Sequence, residues 1–421
     1  MKKTDIEPRT VSEAAPYELP AGWKWTRLGE VADFIGGGTP DKSNPNYWNG
    51  IIPWASVKDI KGNFLFSTED SITETGLKES ATNLCDENGL ILVTRIAPGK
   101  AIISKIKTAI NQDLKIVKTD ENKLFLKCFF DFYEDEIKNL SSGTTVKGIK
   151  LDVLEKIPFP LPPTLAEQQR IVSRIESLFT KLDEAKDRAQ SVLDGFELQR
   201  AAILHKAFTG ELTAKWRKEH GVSDDSWEEK TIGECCKLGS GGTPSKRNPE
   251  YYENGTLSWL KTGEIDWNDI YDTEEKITEE GMNNSSAKIY PAESVVVAMY
   301  GMGVTRGKTG ILKQAMTTNQ AVCVLQPDNS LFNRYLFYYF MCNYWTFREK
   351  AVGGNQLNYS ATMIGKWKIN LPTLPEQQEI VRILDSVLEK EADAKEAAQS
   401  VLDQIALLKK SILSRAFRGE L

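Results

Sequence analysis

Two stretches of the chain carry the same hydrophobic rhythm. Apolar or small residues fall at Ile171, Ile175, Leu178, Leu182, Ala185, Ala189, Val192, Phe196 and Ile203 in an alternating four-three spacing, broken only at Gln199. That spacing predicts the seam of a long coiled-coil helix. It returns at Ile380, Leu384, Val387, Ala394, Ala398, Val401, Ile405, Leu408 and Ile412, with Glu391 as its one polar member. Thr164-x-x-Glu167 and Thr373-x-x-Glu376 read as capping boxes, preceded by Leu161-Pro162-Pro163 and Leu371-Pro372, while Gly210 and Gly419 read as C-caps. The two helices are expected to pair antiparallel within the chain, with small Ala185/Ala189 and Ala394/Ala398 allowing close approach. Glu391 should then sit near an edge or a basic partner. In the alternative, each helix packs on its own globule, which leaves so long and narrow a seam unused.

Elsewhere the rhythm shortens to that of strands. Gly89-Leu90-Ile91-Leu92-Val93, Ala101-Ile102-Ile103, Leu114-Lys115-Ile116-Val117, Ser294-Val295-Val296-Val297-Ala298 and Ala321-Val322-Cys323-Val324-Leu325 are strand-like runs between glycine turns. Phe125 to Phe132 and Leu331 to Phe340 suggest short buried helices. The predicted class is mixed α/β (α+β). After a tail of 1–20, globules at 21–160 and 227–370 alternate with helices at 161–212 and 371–421, and 213–226 is a linker.

The pattern is a duplication. Glu167-Gln168-Gln169 recurs as Glu376-Gln377-Gln378, displaced by 209 positions, and the register holds to Gly210-Glu211-Leu212 and Gly419-Glu420-Leu421. Ala189-Gln190-Ser191-Val192-Leu193-Asp194 matches Ala398-Gln399-Ser400-Val401-Leu402-Asp403. The globules repeat more loosely: Leu28-Gly29-Glu30 with Ile232-Gly233-Glu234, Gly37-Gly38-Thr39-Pro40 with Gly241-Gly242-Thr243-Pro244, Trp54 with Trp259, and Asn111-Gln112 with Asn319-Gln320.

Composition narrows the chemistry. At 421 residues, 40% hydrophobic and 27% charged, the chain can bury real cores. It shows no apolar run long enough for a membrane helix and no apolar leader, so a cytoplasmic location is expected. Six cysteines without a Cys-x-x-Cys pair and only two histidines argue against zinc cages, histidine metal sites and most catalytic triads. The net charge of −6, from 53 basic and 59 acidic residues, leaves nucleic-acid binding neither supported nor excluded. Acids concentrate at Glu264, Asp266, Asp269, Asp272, Glu274, Glu275, Glu279 and Glu280, which biases the rest of the second half toward positive.

Two catalytic look-alikes fail. Asn44-Pro45-Asn46-Tyr47 and Asn248-Pro249-Glu250-Tyr251 lack the second proline of an amino-methyltransferase signature. Gly301 to Thr309 resembles a phosphate loop of the wrong size and reads better as a turn between strands. What remains is a vocabulary of recognition on glycine-rich loops. Candidates for DNA contact are Thr39, Lys42, Ser43, Asn44 and Tyr47 in the first globule, and Thr243, Ser245, Lys246, Arg247 and Tyr251 in the second. Lys58, Arg95, Lys100, Thr144, Lys147, Lys261, Arg306 and Lys308 join them as donors, since cations neutralise phosphates. Asn111-Gln112, Asn319-Gln320 and Asn355-Gln356 are candidates for adenine contacts, because a carboxamide matches the adenine edge; a turn-stabilising role is the alternative.

Two divergent globules between two near-identical helices resemble the specificity subunit of a type I restriction-modification system, over essentially the whole chain. The residues carrying this are Pro160-Leu161-Pro162-Pro163-x-x-Ala166-Glu167-Gln168-Gln169-x-Ile171-Val172 and Leu371-Pro372-x-Leu374-Pro375-Glu376-Gln377-Gln378-x-Ile380-Val381. The helix ends Ala207-Phe208-x-Gly210-Glu211-Leu212 and Ala416-Phe417-x-Gly419-Glu420-Leu421 add to it, as do the opening Gly22-Trp23-x-Trp25 and the two Gly-Gly-Thr-Pro loops. The opening is only partly echoed by Trp227-Glu228-Glu229-Lys230. The resemblance implies a non-catalytic subunit whose globules each read half of a split double-stranded DNA site while the helices set the gap. It implies as partners two modification subunits that bind S-adenosylmethionine and methylate adenine, and motor-nuclease subunits using ATP and magnesium, with no cofactor or metal in this chain. A coiled-coil scaffold with two protein-binding globules is the alternative.

Overall fold

A strand buried on both faces shows an unbroken apolar run, and Leu90–Val93 and Val295–Ala298 are such strands, each wholly buried. The computed structural model describes residues 16–143, 146–301, 304–349 and 358–421. The chain forms two compact units, Met1–Gln190 with Gln399–Leu421, and Ser191–Ala398.

In the first unit a five-stranded sheet runs in the order Asp33–Gly36, Leu114–Lys118, Leu90–Val93, Ala101–Ser104, Phe64–Leu65. Alternate residues serve opposite faces, as the strand period requires. Leu90, Leu92 and Ile103 join the core under helix Lys123–Leu140, and Ile91, Val93 and Ile102 join the core on the other side. A four-stranded sheet, Asp70–Ile72, Trp48–Ala55, Thr108–Ile110, Asn83–Cys85, covers that other side. The second unit repeats the topology. Its sheets run Cys236–Ser240, Val322–Pro327, Val295–Ala298, Thr309–Leu312, Asp269–Ile270, and Lys276–Ile277, Leu257–Leu260, Met316–Thr318, Ile289–Tyr290. Helix Asn333–Cys342 takes the place of Lys123–Leu140.

The long helices are Leu165–Phe208 and Leu374–Phe417, 44 residues each, or about 66 Å at 1.5 Å per residue. In the first unit Ile171 and Ile175 share a core with Leu413, Ala416 and Phe417, and Lys409 pairs with Asp183. In the second, Leu204 and Ala207 share a core with Ile380 and Leu384, and Arg200 pairs with Glu391 at 2.7 Å. Rising numbers on one helix meet falling numbers on the other in both units, so the strokes run antiparallel. Phe417 packs on Phe125 and Phe129 with ring centroids 5.0 and 5.6 Å away, contacts that add about 0.5–1.5 kcal/mol each beyond burial.

The seam is only partly as the spacing predicts. Ile171, Ile175, Ala189, Ile380, Leu384, Ala398 and Ile405 are buried, Leu178, Leu182, Phe196, Ile203 and Ile412 half-buried, but Val192, Val387, Val401 and Leu408 are 38–49% exposed. Val172, Leu204, Val381, Leu413, Ala416 and Phe417 are buried off the seam. Near its ends each helix is enclosed by a globule as well as by the other helix, so the apolar stripe widens beyond two positions per heptad. Glu391 does find its basic partner.

The helix termini match expectation at their C-terminal ends and differ from it at their N-terminal ends. Gly210 and Gly419 adopt φ of +81° and +72° as C-caps. Thr164 Oγ1 accepts the Glu167 N–H at 3.2 Å, but the Glu167 carboxylate turns to Arg170 instead of closing a box. Glu376 is drawn away altogether. The segment read as a linker contains a helix, Ala214–His220, whose Arg217 places Nη1 2.7 Å from Glu376 Oε1 and donates through Nη2 to the Gly210 carbonyl at 2.9 Å. A buried carboxylate answers to a buried guanidinium before it answers to a backbone N–H. In the first unit Tyr17, within the segment read as a tail, donates its hydroxyl to the Phe417 carbonyl at 2.9 Å.

Candidate nucleic-acid interface

Each globule presents a glycine loop clamped onto an Asn-Gln turn. The Gly38 N–H donates to the Ile110 carbonyl at 3.0 Å, and the Gly242 N–H to the Thr318 carbonyl at 2.9 Å. A Cβ on Gly37 would lie 2.2 Å from the Asn111 oxygen, and one on Gly241 1.8 Å from the Thr318 oxygen, so only glycine lets the strands approach this closely. From below, Trp54 Nε1 donates to the Gly38 carbonyl at 3.1 Å and Trp259 Nε1 to the Gly242 carbonyl at 2.9 Å. These tryptophans are buried supports.

The turn divides its two side chains between structure and surface. Asn111 is buried, and its Oδ1 accepts the Asp113 N–H at 3.0 Å; Asn319 Oδ1 accepts the Ala321 N–H at the same distance. Both asparagines therefore stabilise the turn through Oδ1, the alternative role that the sequence pattern leaves open. Gln112 and Gln320 are exposed, and each accepts a hydrogen bond through Oε1, from Thr39 Oγ1 and Thr243 Oγ1 respectively. Asn44 and Asn248 likewise cap the short turns Pro45–Tyr47 and Pro249–Tyr251, accepting from Asn46 N at 3.1 Å and Glu250 N at 3.2 Å. Ser43 donates to Asp41 at 2.8 Å, and Tyr47 to Glu79 at 2.7 Å; that bond raises the tyrosine's pKa. Tyr251 is half-buried and gives its carbonyl to the Thr278 N–H at 3.0 Å. Lys42, Ser245 and Arg247 are exposed on the loops.

Most of the cations proposed for phosphates are already engaged. Lys261 pairs with Glu275 at 3.0 Å and Glu274 at 3.3 Å, Lys246 with Glu275 at 3.8 Å, and Lys308, only 16% exposed, with Asp266. The acidic stretch of the second half thus folds back on the lysines. Lys58 and Glu69 stand 3.9 Å apart. Arg95 pairs with Asp113 at 3.2 Å. Arg306 is 9% exposed with its guanidinium 5.8 Å from the Tyr359 ring, so little of it reaches the surface. Lys100 and Lys147 are exposed. Thr144, Asn355 and Gln356 lie outside the described residues.

The sequence reading missed Trp345, 68% exposed with the Arg348 guanidinium 5.8 Å from its ring. A tryptophan in an aromatic-rich stretch reads as core, and only the three-dimensional placement separates the two. It also missed the Thr–Gln pairing. Nucleophilic chemistry finds little support: burial pushes Cys128 and Cys323 up to about 12, so both are thiols at neutral pH. The Gly301–Thr309 look-alike leads from strand Val295–Ala298 to strand Thr309–Leu312, with the Gly307 N–H on the Ala298 carbonyl at 2.8 Å.

The type I restriction modification DNA specificity domain matches the chain twice, over residues 20–192 and 224–402. The chain belongs to this family. Among relatives of this specificity family, the type I restriction enzyme MjaIX specificity subunit of Methanocaldococcus jannaschii is 22% identical across 96% of this chain and 94% of its own length. The EcoKI specificity subunit of Escherichia coli K12 is 25% identical across 96% and 90%. Among solved structures, a chain from work on complex assembly and conformational transition of the type I R-M system superposes with a TM-score of 0.77 at 21% identity, covering 96% of this chain and all of that one. The HsdS subunit from Thermoanaerobacter tengcongensis gives 0.62 at 22% identity, covering 96% and 99%. These likenesses show a shared specificity-subunit fold, and none favours a protein-binding adaptor. No helix among the described residues is long and apolar enough to cross a membrane.

Proposed function

We propose that this chain is the DNA sequence-recognition subunit of a type I restriction-modification complex and carries no catalytic step of its own. Each globule reads one half of a split duplex site, and the long helices set the gap between the halves, as a dimer's geometry sets half-site spacing. Two modification subunits supply S-adenosylmethionine-dependent adenine methylation, and motor-nuclease subunits supply ATP- and magnesium-dependent cleavage. The observation that supports this best is the double match to the specificity domain on two globules that expose the same loop-and-turn face.

The test is methylation of a random duplex library with labelled S-adenosylmethionine, by the chain with and without its modification subunits. The assembled complex is expected to mark adenines in one bipartite motif of fixed gap, and the isolated chain to mark none. Methylation by the isolated chain, or methylation by the complex without a motif, overturns the reading. Four residues inserted after Ala189 add ~6 Å of helix, and the preferred gap should change while each half-motif is retained.

A further inference from the structure

The Thr39–Gln112 and Thr243–Gln320 pairs sit on one scaffold in two globules whose surroundings differ. Asp113 with its Arg95 partner stands beside Gln112, whereas Ala321 stands beside Gln320. Ser43 bonded to Asp41 in the first loop is replaced by exposed Arg247 in the second. The clamp itself is unchanged. Asn111 N donates to the Ala55 carbonyl and Asn319 N to the Leu260 carbonyl, both at 2.9 Å, and the tryptophan and glycine bonds agree to within 0.2 Å.

A contact held the same in both globules cannot distinguish two different half-sites. It serves what the half-sites share, which beyond a target adenine is the phosphate backbone common to every duplex. The threonine hydroxyl takes one of the two acceptor positions of the glutamine oxygen and fixes the carboxamide, and among the described residues nothing accepts from either Nε2. The group each carboxamide presents wholly without a partner is thus the Nε2 donor, which suits a phosphate oxygen. We propose that Gln112 and Gln320 each grip one backbone phosphate through Nε2, with Thr39 and Thr243 as the positioning residues that orient the carboxamide. This rests on the DNA-recognition reading and replaces an adenine contact with a sequence-independent anchor. Because the amide is neutral, it displaces no counterion as a lysine does.

The experiment uses the full chain with its modification subunits and two probes: a duplex carrying the methylated motif mapped above and a scrambled duplex. Gln112→Met is expected to weaken binding to both by a similar factor, about tenfold, with the salt slope unchanged. Thr39→Val should weaken both duplexes in the same way, and Thr39→Ser should restore binding. In a scan of single methylphosphonates through the motif, one position in the first globule's half-site should make Gln112→Met cost nothing further. Gln320→Met should behave likewise in the other half-site. Loss confined to duplexes with an intact cognate half-site would show base reading and overturn the proposal. Unchanged binding on both duplexes with a lowered melting temperature would also overturn it, leaving the pair as a pin for the turn. A wild-type complex that binds both duplexes equally refutes the recognition reading itself, and does so before any variant is compared.

Discussion

Glu391 is held 2.7 Å from Arg200, with the carboxylate side chain 8% exposed and the guanidinium 42% exposed. The one polar residue in the second seam is thus tolerated because the opposite helix supplies its counter-charge one position after Gln199, where the first seam breaks. Truncating one partner of a fully buried pair costs about 3–5 kcal/mol, and solvent around Arg200 reduces this to roughly 1–2 kcal/mol. Arg200→Met should therefore lower stability by that amount in urea unfolding. Adding Glu391→Leu to it should recover most of the loss, and a double variant no better than Arg200→Met would show that the two residues are uncoupled.

Arg217 is the more demanding case. Its side chain is 8% exposed and that of Glu376 0%, so Arg217→Leu strands a carboxylate in the second unit. The expected cost is about 3–5 kcal/mol, read as an earlier unfolding transition. Glu376→Gln keeps a hydrogen-bond acceptor for the guanidinium and should cost less. The order of the two variants is the check.

Lys100 and Lys308 occupy matching glycine turns but differ in engagement. Lys100 is exposed, whereas Lys308 pairs with Asp266. Lys100→Ala should flatten the salt dependence of DNA binding by roughly one unit if it meets a phosphate. Lys308→Ala should leave that slope nearly unchanged. Equal slopes for the two variants count against this division.

One carboxylate of the acidic stretch, Asp272, makes its own contribution to the second unit pH-dependent. Asp272 is lowered to about 2, chiefly by the Ser258 hydroxyl at 2.7 Å, then by the Thr273 N–H and Lys276. A depressed carboxylate contributes stability above its unfolded value, near 3.8, and loses it as the pH falls toward 2. Asp272→Asn should thus be less stable than wild type at pH 6, and the gap should shrink between about pH 4 and 2. Thermal melts across that range measure it.

What the sequence discloses here follows the range of the interaction. Val295–Ala298 and the glycine C-caps are legible because a strand's burial and a left-handed turn are written in adjacent residues. The capping reading of Glu376 fails because its partner, Arg217, lies 159 positions away in a segment whose polar composition resembles a linker. Lys308 looks free because Asp266 is 42 positions upstream. The Thr–Gln pairs span 73 and 77 positions. Their partners were each named from local pattern, but nothing local says that they touch, nor that the neighbouring asparagine faces inward.

The division of the chain into Met1–Gln190 with Gln399–Leu421, and Ser191–Ala398, bears on how the molecule is made. The second unit is one continuous segment and can close as soon as its last residue leaves the ribosome. The first is split. Phe125 and Phe129 are covered by Phe417, which is synthesised more than two hundred residues after Gln190. At ~5–20 residues per second that interval is on the order of 10–45 s. The globule made first is the one completed last, and through that interval the faces of Phe125 and Phe129 that Phe417 covers stay open.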